Sequence, residues 1–170
     1  MKVDLPMEAL ALAASGKIPV VMRANAEADI KGAIKFANDS KLKLIIAGAA
    51  EAWRCVDELK KNDVAVLIGV DQLPTREADP YDAAYANAAT LHKAGVRFAI
   101  VTDDASNSRN LPLEAAMAHA YGLPRDAAIR AITLSPAEIL GVASTLGSIE
   151  PGKAATLIMT NGDILDHRTN

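Results

Sequence analysis

Four short apolar runs, each followed by a longer segment of mixed polarity, constrain the fold of this chain more than any other feature. The runs span residues 18–22, 42–47, 64–68 and 96–101. They are rich in β-branched residues and have the length of strands. Because they lack a polar face, they are typical of parallel strands that are buried on both sides.

The segments between the runs have helical periodicity, as Ile30, Ile34 and Ala37 illustrate. The alternation predicts an α/β fold, in which a first helix precedes four parallel strands joined by right-handed helical crossovers. Further helices follow the fourth strand, and one of them is predicted to begin with Ser135 as its N-cap and Pro136 as its first residue. The stretch 146–160 predicts a turn and a short strand.

The composition excludes several classes of protein. The 170 residues suffice for one ordinary domain, and 18 basic against 21 acidic residues, without a basic block, argue against a nucleic-acid partner. No apolar run approaches the roughly 20 residues that cross a bilayer, so we expect no membrane partner. Cys55 is the only cysteine, which excludes an internal disulfide and predicts a buried structural thiol. With no clear signal peptide, we expect a cytoplasmic protein.

Polar side chains follow the first and fourth strands, at the carboxyl ends where parallel α/β folds bind ligands. They are Arg23, Asn25, Asp103, Asp104, Asn107 and Arg109. The adjacent acids could act as a metal ligand or general base, or one could cap a turn while the other is solvated. Arg23 could bind a carboxylate or phosphate of a ligand, or it could pair with one of the two aspartates.

The histidines do not predict a metal centre. His92 and His119 fall within predicted helices, His167 lies near the end of the chain, and no His-x-His motif is present. The glycine pattern of nucleotide-binding folds and the Gly-x-Ser-x-Gly motif of serine hydrolases are also missing from the sequence.

Two stretches carry a resemblance to a known family. The first runs from Thr102 to Pro112, and the second combines Thr133-Leu134-Ser135-Pro136-Ala137, Leu140-Gly141 and the run from Gly147 to Lys153. Together they resemble the C-terminal half of the amidohydrolase superfamily, in particular its imidazolonepropionase-like branch. The resemblance implies a partial (β/α)8 barrel, with the four strands as barrel strands five to eight. It also implies a half-barrel domain at residues 1–145 and a β-sandwich remnant at residues 146–170.

The same resemblance implies hydrolysis of amide or cyclic amide C–N bonds by metal-activated water, with zinc as the expected cation. The family's strand-eight aspartate, which binds metal and takes a proton from water, falls on Asp103 or Asp104, and we favour Asp104 for both roles. Arg23, Asn25, Asn107 and Arg109 are then the expected substrate-binding residues. The family's His-x-His motif has no counterpart here, and the other histidine positions fall near Arg23 or Asn25 and within 48–51. We therefore expect the metal to be absent from this chain.

Two functions remain open at this stage. The chain is a fragment of a C–N hydrolase of small molecules that needs ligands from upstream sequence or another chain, or it is a metal-free, inactive binding or structural remnant. A four-stranded half-barrel leaves two sheet edges and an open inner face, so we expect a homo-oligomer or pairing with a missing N-terminal half. A third, less favoured hypothesis is a flavodoxin-like receiver that holds magnesium at its paired acids; their place after the fourth strand counts against it.

Overall fold

A computed structural model of the chain describes residues 5–70 and 76–169, and its centre is one sheet of four strands. The strands are β1 (Val20–Ala24), β2 (Leu44–Gly48), β3 (Ala65–Ile68) and β4 (Phe98–Ile100). They lie in sequence order and every neighbouring pair is parallel. This confirms the α/β fold with four parallel strands, and it is consistent with a partial barrel. A flavodoxin-like fold has the strand order 2-1-3-4-5, so the receiver hypothesis is wrong.

Helices precede, connect and follow the strands as the periodicity predicts. They are α1 (Leu5–Ala14), α2 (Glu27–Asp39), α3 (Val56–Lys61), α4 (Ala83–Ala94), α5 (Leu111–Ala120), α6 (Arg125–Ala131) and α7 (Leu134–Ile139), with 3-10 helices at Ala52–Arg54 and Ala105–Asn110. Ser135 lies inside α7, whose N-cap position is Thr133, so the predicted cap at Ser135 is wrong. None of the helices in the described ranges is long and apolar enough to cross a membrane.

The core lies mainly between the sheet and one layer of helices. Because side chains alternate along a strand, Ile46, Val66 and Ile68 face this layer, where they pack with buried residues of the helices such as Ile30 and Leu91. Among the described residues this is the larger of two clusters of buried apolar side chains, and all four strands contribute to it.

The opposite face of the sheet is partly covered. Ile45, Ala65 and Ala99 form a second buried cluster there with Ile139 of α7. Val21 of β1 pairs with Ile45 in the sheet register, yet it remains 52% exposed. The expectation of an open inner face is therefore wrong where Ile139 packs on β2 to β4, while Val21 on β1 and, in part, Ala47 and Leu67 remain accessible.

The last part of the chain takes no regular secondary structure. Residues 146–169 contain neither a helix nor a strand, although the sequence predicts a strand within 146–160. The apolar side chains of Ile149, Leu157 and Ile158 are exposed, and Met159 is 96% exposed. A strand needs a ladder of backbone hydrogen bonds to a neighbour, and the bond from the Ala154 N–H to the Thr145 carbonyl, at 2.9 Å, does not extend into one among the described residues. The β-sandwich remnant at 146–170 and the boundary at residue 145 stay predictions.

Candidate functional site

The carboxyl edge of the sheet brings together two of the predicted site residues, Arg23 and Asp103. Arg23 belongs to β1, in register with Ala47 of β2, while Asp103 lies three residues beyond the end of β4. The guanidinium binds the carboxylate through two bonds, with Nη1–Oδ2 at 2.6 Å and Nη2–Oδ1 at 2.7 Å. The side chains thus connect the first and last strands across the two central ones.

This pair fixes the charge state of both groups. The hydrogen bonds from Arg23 hold the pKa of the Asp103 carboxyl below its usual range, and Asp103 raises the pKa of Arg23. Solvent screens the attraction, because the side chains are 60% and 35% exposed. The sequence left two interpretations open for Arg23, binding of a ligand or pairing with an aspartate. In the structure, Arg23 pairs with Asp103.

Asp104 has a different partner. Its carboxylate accepts a hydrogen bond from the backbone N–H of Ser106 at 2.7 Å and so caps the 3-10 helix at 105–110. Hydrogen bonding by the Ser106 side chain, together with this backbone bond, lowers the pKa of Asp104. The preceding residue, Asp103, has a φ of 57°, a left-handed conformation that aspartate tolerates better than most residues. This turn directs the neighbouring carboxylates to different partners, and of the two only the Asp103 carboxylate is bound by the side chain of another predicted site residue.

The remaining predicted site residues are dispersed. Asn25 follows β1 directly, and its side chain fills the space beside Gly48: a Cβ at that glycine would lie 2.2 Å from the Asn25 Oδ1. Asn107 and Arg109 lie on the exposed 3-10 helix, where the Asn107 N–H donates to the Asp104 carbonyl at 3.1 Å. Within the described ranges, no hydrogen bond or ion pair joins Asn107 or Arg109 to Arg23. Their roles as substrate-binding residues stay predictions.

Glu51 is a buried acid at this edge to which the sequence pattern assigned no role of its own. It is 1% exposed, and its Oε2 accepts bonds from the Glu27 backbone N–H at 2.7 Å and from Arg76 Nη2 at 2.9 Å. Glu27 is the first residue of α2, whose N-cap, Ala26, has no side-chain oxygen. Glu51 therefore caps α2 from another part of the chain, and an alanine at the start of a long helix was the only signal for it.

Two further contacts around this cluster are structural. Arg54 forms an ion pair with Asp79, and its guanidinium lies 4.1 Å from the ring centre of Trp53. Cys55 is buried, which confirms the predicted structural thiol, and burial raises its pKa to about 11. The thiol is therefore protonated and a poor nucleophile near neutral pH.

A cavity beside the sheet lies at the other end of the strands. This cleft of about 640 Å³ is lined by residues at the amino ends of the strands, among them Pro19, Leu44, Ala65 and Arg97, together with Ile139 of α7. Ligand sites of parallel α/β folds lie at the carboxyl ends, so we take the Arg23–Asp103 edge, and not this cleft, as the candidate site.

Comparison with known proteins identifies the family. The model of the "Amidohydrolase family" matches residues 54–170, which include Asp103, Asp104 and the run from Gly147 to Lys153. The chain belongs to the amidohydrolase family. This confirms the resemblance on which the site prediction rests, and family membership supports a hydrolase function.

Individual relatives of this amidohydrolase-family chain agree. The crystal structure of an amidohydrolase from Thermotoga maritima MSB8 is 30% identical, with a TM-score of 0.87 over 99% of this chain and 44% of its own. Amidohydrolase tasK of Hapsidospora irregularis is 27% identical over 95% of this chain and 17% of its own length. An imidazolonepropionase of Porphyromonas gingivalis is 35% identical over 59% of this chain and 23% of its own. The chain therefore spans less than a quarter of these two curated relatives.

The amidohydrolase family is generally metal-dependent, but the residues at this edge do not fit a metal ion. Both carboxylate oxygens of Asp103 are bound by a cation, the Arg23 guanidinium. The Asp104 carboxylate accepts a hydrogen bond from the backbone N–H of Ser106. The His119 Nδ1 lies 2.8 Å from the Leu123 carbonyl, within hydrogen-bonding distance. In the described parts of the chain, no group of three or more His, Cys, Asp or Glu residues could hold a metal ion.

Proposed function

We propose that this chain forms the carboxyl-edge half of a hydrolase site that acts on amide or cyclic amide C–N bonds of a small molecule. The observation that carries the proposal is the family match over residues 54–170, which contains the acidic pair. Relatives named as an amidohydrolase and an imidazolonepropionase support the bond class. In this proposal the four strands correspond to barrel strands five to eight, and the other strands are supplied by a second copy of the chain or by a further polypeptide segment.

Asp103 is the proton acceptor in this proposal, in preference to Asp104. A carboxylate held by a guanidinium is a weak base, so Asp103 becomes effective only when Arg23 releases it. A carboxylate on the substrate can displace Asp103 from Arg23, because Arg23 can bind it with the same two-bond geometry that it uses on Asp103. Binding of the substrate would thereby free Asp103 to accept a proton from water, while Arg23 orients the substrate.

The test is hydrolysis of two substrate sets by the purified chain, one of cyclic amides and one of N-acyl amino acids, each with and without a carboxylate. We expect turnover only of the compounds that carry a carboxylate. Asp103→Asn abolishes it, while Asp104→Asn, the matched control, retains it. Turnover that survives Asp103→Asn contradicts the assigned base, and absence of turnover from every substrate contradicts the hydrolase proposal for the chain by itself.

A second function is favoured by the ion pair and by the partly exposed outer strand β1. In this alternative the chain is a metal-free, inactive structural or binding half that self-associates. β1 and β4 are the outer strands of the sheet, and Val21 on β1 is half exposed. A twofold axis parallel to the strands would place β4 of one copy beside β1 of the other in parallel. Eight strands would then close into a ring.

Light scattering and metal analysis test this alternative. We expect a mass twice the 17.8 kDa of one chain, no stoichiometric metal, and dissociation in Val21→Glu, with the exposed residue Asp57→Lys as a control. A monomeric wild-type chain contradicts self-association. Stoichiometric zinc bound at Asp103 contradicts the metal-free alternative.

A further inference from the structure

The Arg23–Asp103 pair has the geometry of a built site rather than of a chance surface contact. The partners are 80 residues apart in the chain, and they meet at the carboxyl edge of the sheet, where Arg23 belongs to one outer strand and Asp103 follows the other. Both terminal nitrogens of the guanidinium face both oxygens of the carboxylate, at 2.6 and 2.7 Å. This two-bond arrangement requires the planar fork of arginine, and a lysine ammonium could not reproduce it.

The turn that carries Asp103 holds it in this position. Asp103 has a left-handed backbone conformation, and the Asp104 N–H closes the turn on the Thr102 carbonyl at 2.7 Å. The Asp104 carboxylate fixes the following residues by its bond to Ser106. The direction of the Asp103 side chain is therefore set by local backbone bonds as well as by Arg23. A cation that approached Asp103 from the sheet side would meet the guanidinium first.

We propose that the Arg23 guanidinium takes the place of a divalent cation at Asp103, so that the site excludes metal ions and is charge-balanced without one. A guanidinium and a metal ion compete for the same carboxylate lone pairs, and like charges at this separation repel. This assignment concerns the charge partner of Asp103 and holds whether or not the chain hydrolyses a substrate. It specifies the residue that sets the metal preference of the site.

The experiment is a calorimetric titration of the chain with zinc chloride alone, repeated with cobalt chloride, whose visible absorption reports its coordination. The variants are Arg23→His, which replaces the cation by a neutral ligand, and Arg23→Lys, which keeps a positive charge at the position. Each is combined with Asp103→Asn and, as a matched control, with Asp104→Asn. Far-UV circular dichroism establishes that every variant is folded before titration.

We expect the wild-type chain and Arg23→Lys to show no zinc binding that depends on Asp103. We expect Arg23→His to bind zinc at least tenfold more tightly than the wild type, with the gain lost on adding Asp103→Asn and kept on adding Asp104→Asn. Zinc binding by the wild type that Asp103→Asn removes would overturn the proposal. So would a folded Arg23→His variant without increased affinity, since Arg23 would then not be what keeps cations away from Asp103. No activity is measured, so a failed hydrolysis assay leaves the result unaffected.

Discussion

Replacing Glu51 by alanine removes the acceptor that caps α2 and the buried partner of Arg76. The lost bond to the Glu27 N–H, at 2.7 Å, corresponds to an N-cap deletion of about 1 kcal/mol. The bond from Arg76 adds about 1 kcal/mol at most, because the arginine side chain is 49% exposed while Glu51 is buried. We therefore expect Glu51→Ala to lower the free energy of unfolding by about 2 kcal/mol.

Urea denaturation monitored by circular dichroism measures this change. With a urea dependence of about 2 kcal/mol per molar, the midpoint of unfolding falls by about 1 M. Glu51→Gln keeps an oxygen that can accept the Glu27 N–H, so its midpoint of unfolding should fall by about half as much. Glu77→Ala, one residue beyond Arg76 and exposed, is the control and should leave the midpoint unchanged. A Glu51→Ala midpoint that equals that of the wild type would refute the assignment of Glu51 as the cap of α2.

Three further predictions follow from residues near the same edge. Gly48→Ala should destabilise the fold by at least about 1 kcal/mol in thermal unfolding, because Gly48 has a φ of 90° and the new Cβ would meet Asn25 Oδ1. Adding Asn25→Ala should recover the part of this loss that is due to the clash. The Cys55 thiol should react with a thiol reagent only after urea is added, and rapid labelling of the native chain would contradict its burial. The contribution of the Arg23–Asp103 pair to the free energy of unfolding should be constant above about pH 5 and decline as the pH falls below about 4, because folding lowers the pKa of Asp103. In urea titrations across that range, Asp103→Asn should lack this decline.

Much of the fold could be predicted because its signals are local. The apolar runs predict strands within two residues at each start, since a strand buried on both faces needs continuous apolar side chains. The segment between the second and third runs has helical periodicity, but in the structure it forms a 3-10 helix at Ala52–Arg54 followed by α3, with Cys55 at the junction. The point at which a 3-10 helix gives way to an α-helix depends on individual backbone hydrogen bonds, and the spacing of apolar residues does not reveal these bonds.

The candidate site was predictable only in part. The sequence places Arg23 and the acidic pair at strand ends, and it raises the ion pair as one possibility for Arg23. The family resemblance favoured Asp104, while the sequence pattern does not distinguish neighbouring acids in a loop. The structure brings the Asp103 carboxylate to Arg23, and the catalytic roles of both acids stay predictions. Glu51 was missed, since its main partner, the Glu27 N–H, is a backbone group that every residue except proline has.

By itself, the sequence of this chain determined the four parallel strands, the helices between them and the family, because these depend on residue spacing and on short motifs. The tertiary structure decided the rest. The order of the strands puts Arg23 against Asp103, 80 residues away, and α7 puts Ile139 on a sheet face that had been expected to be open. Such contacts depend on how strands and helices pack in three dimensions. Burial and electrostatic attraction decide which of the residues brought together in this way bind one another, and residue spacing does not show this.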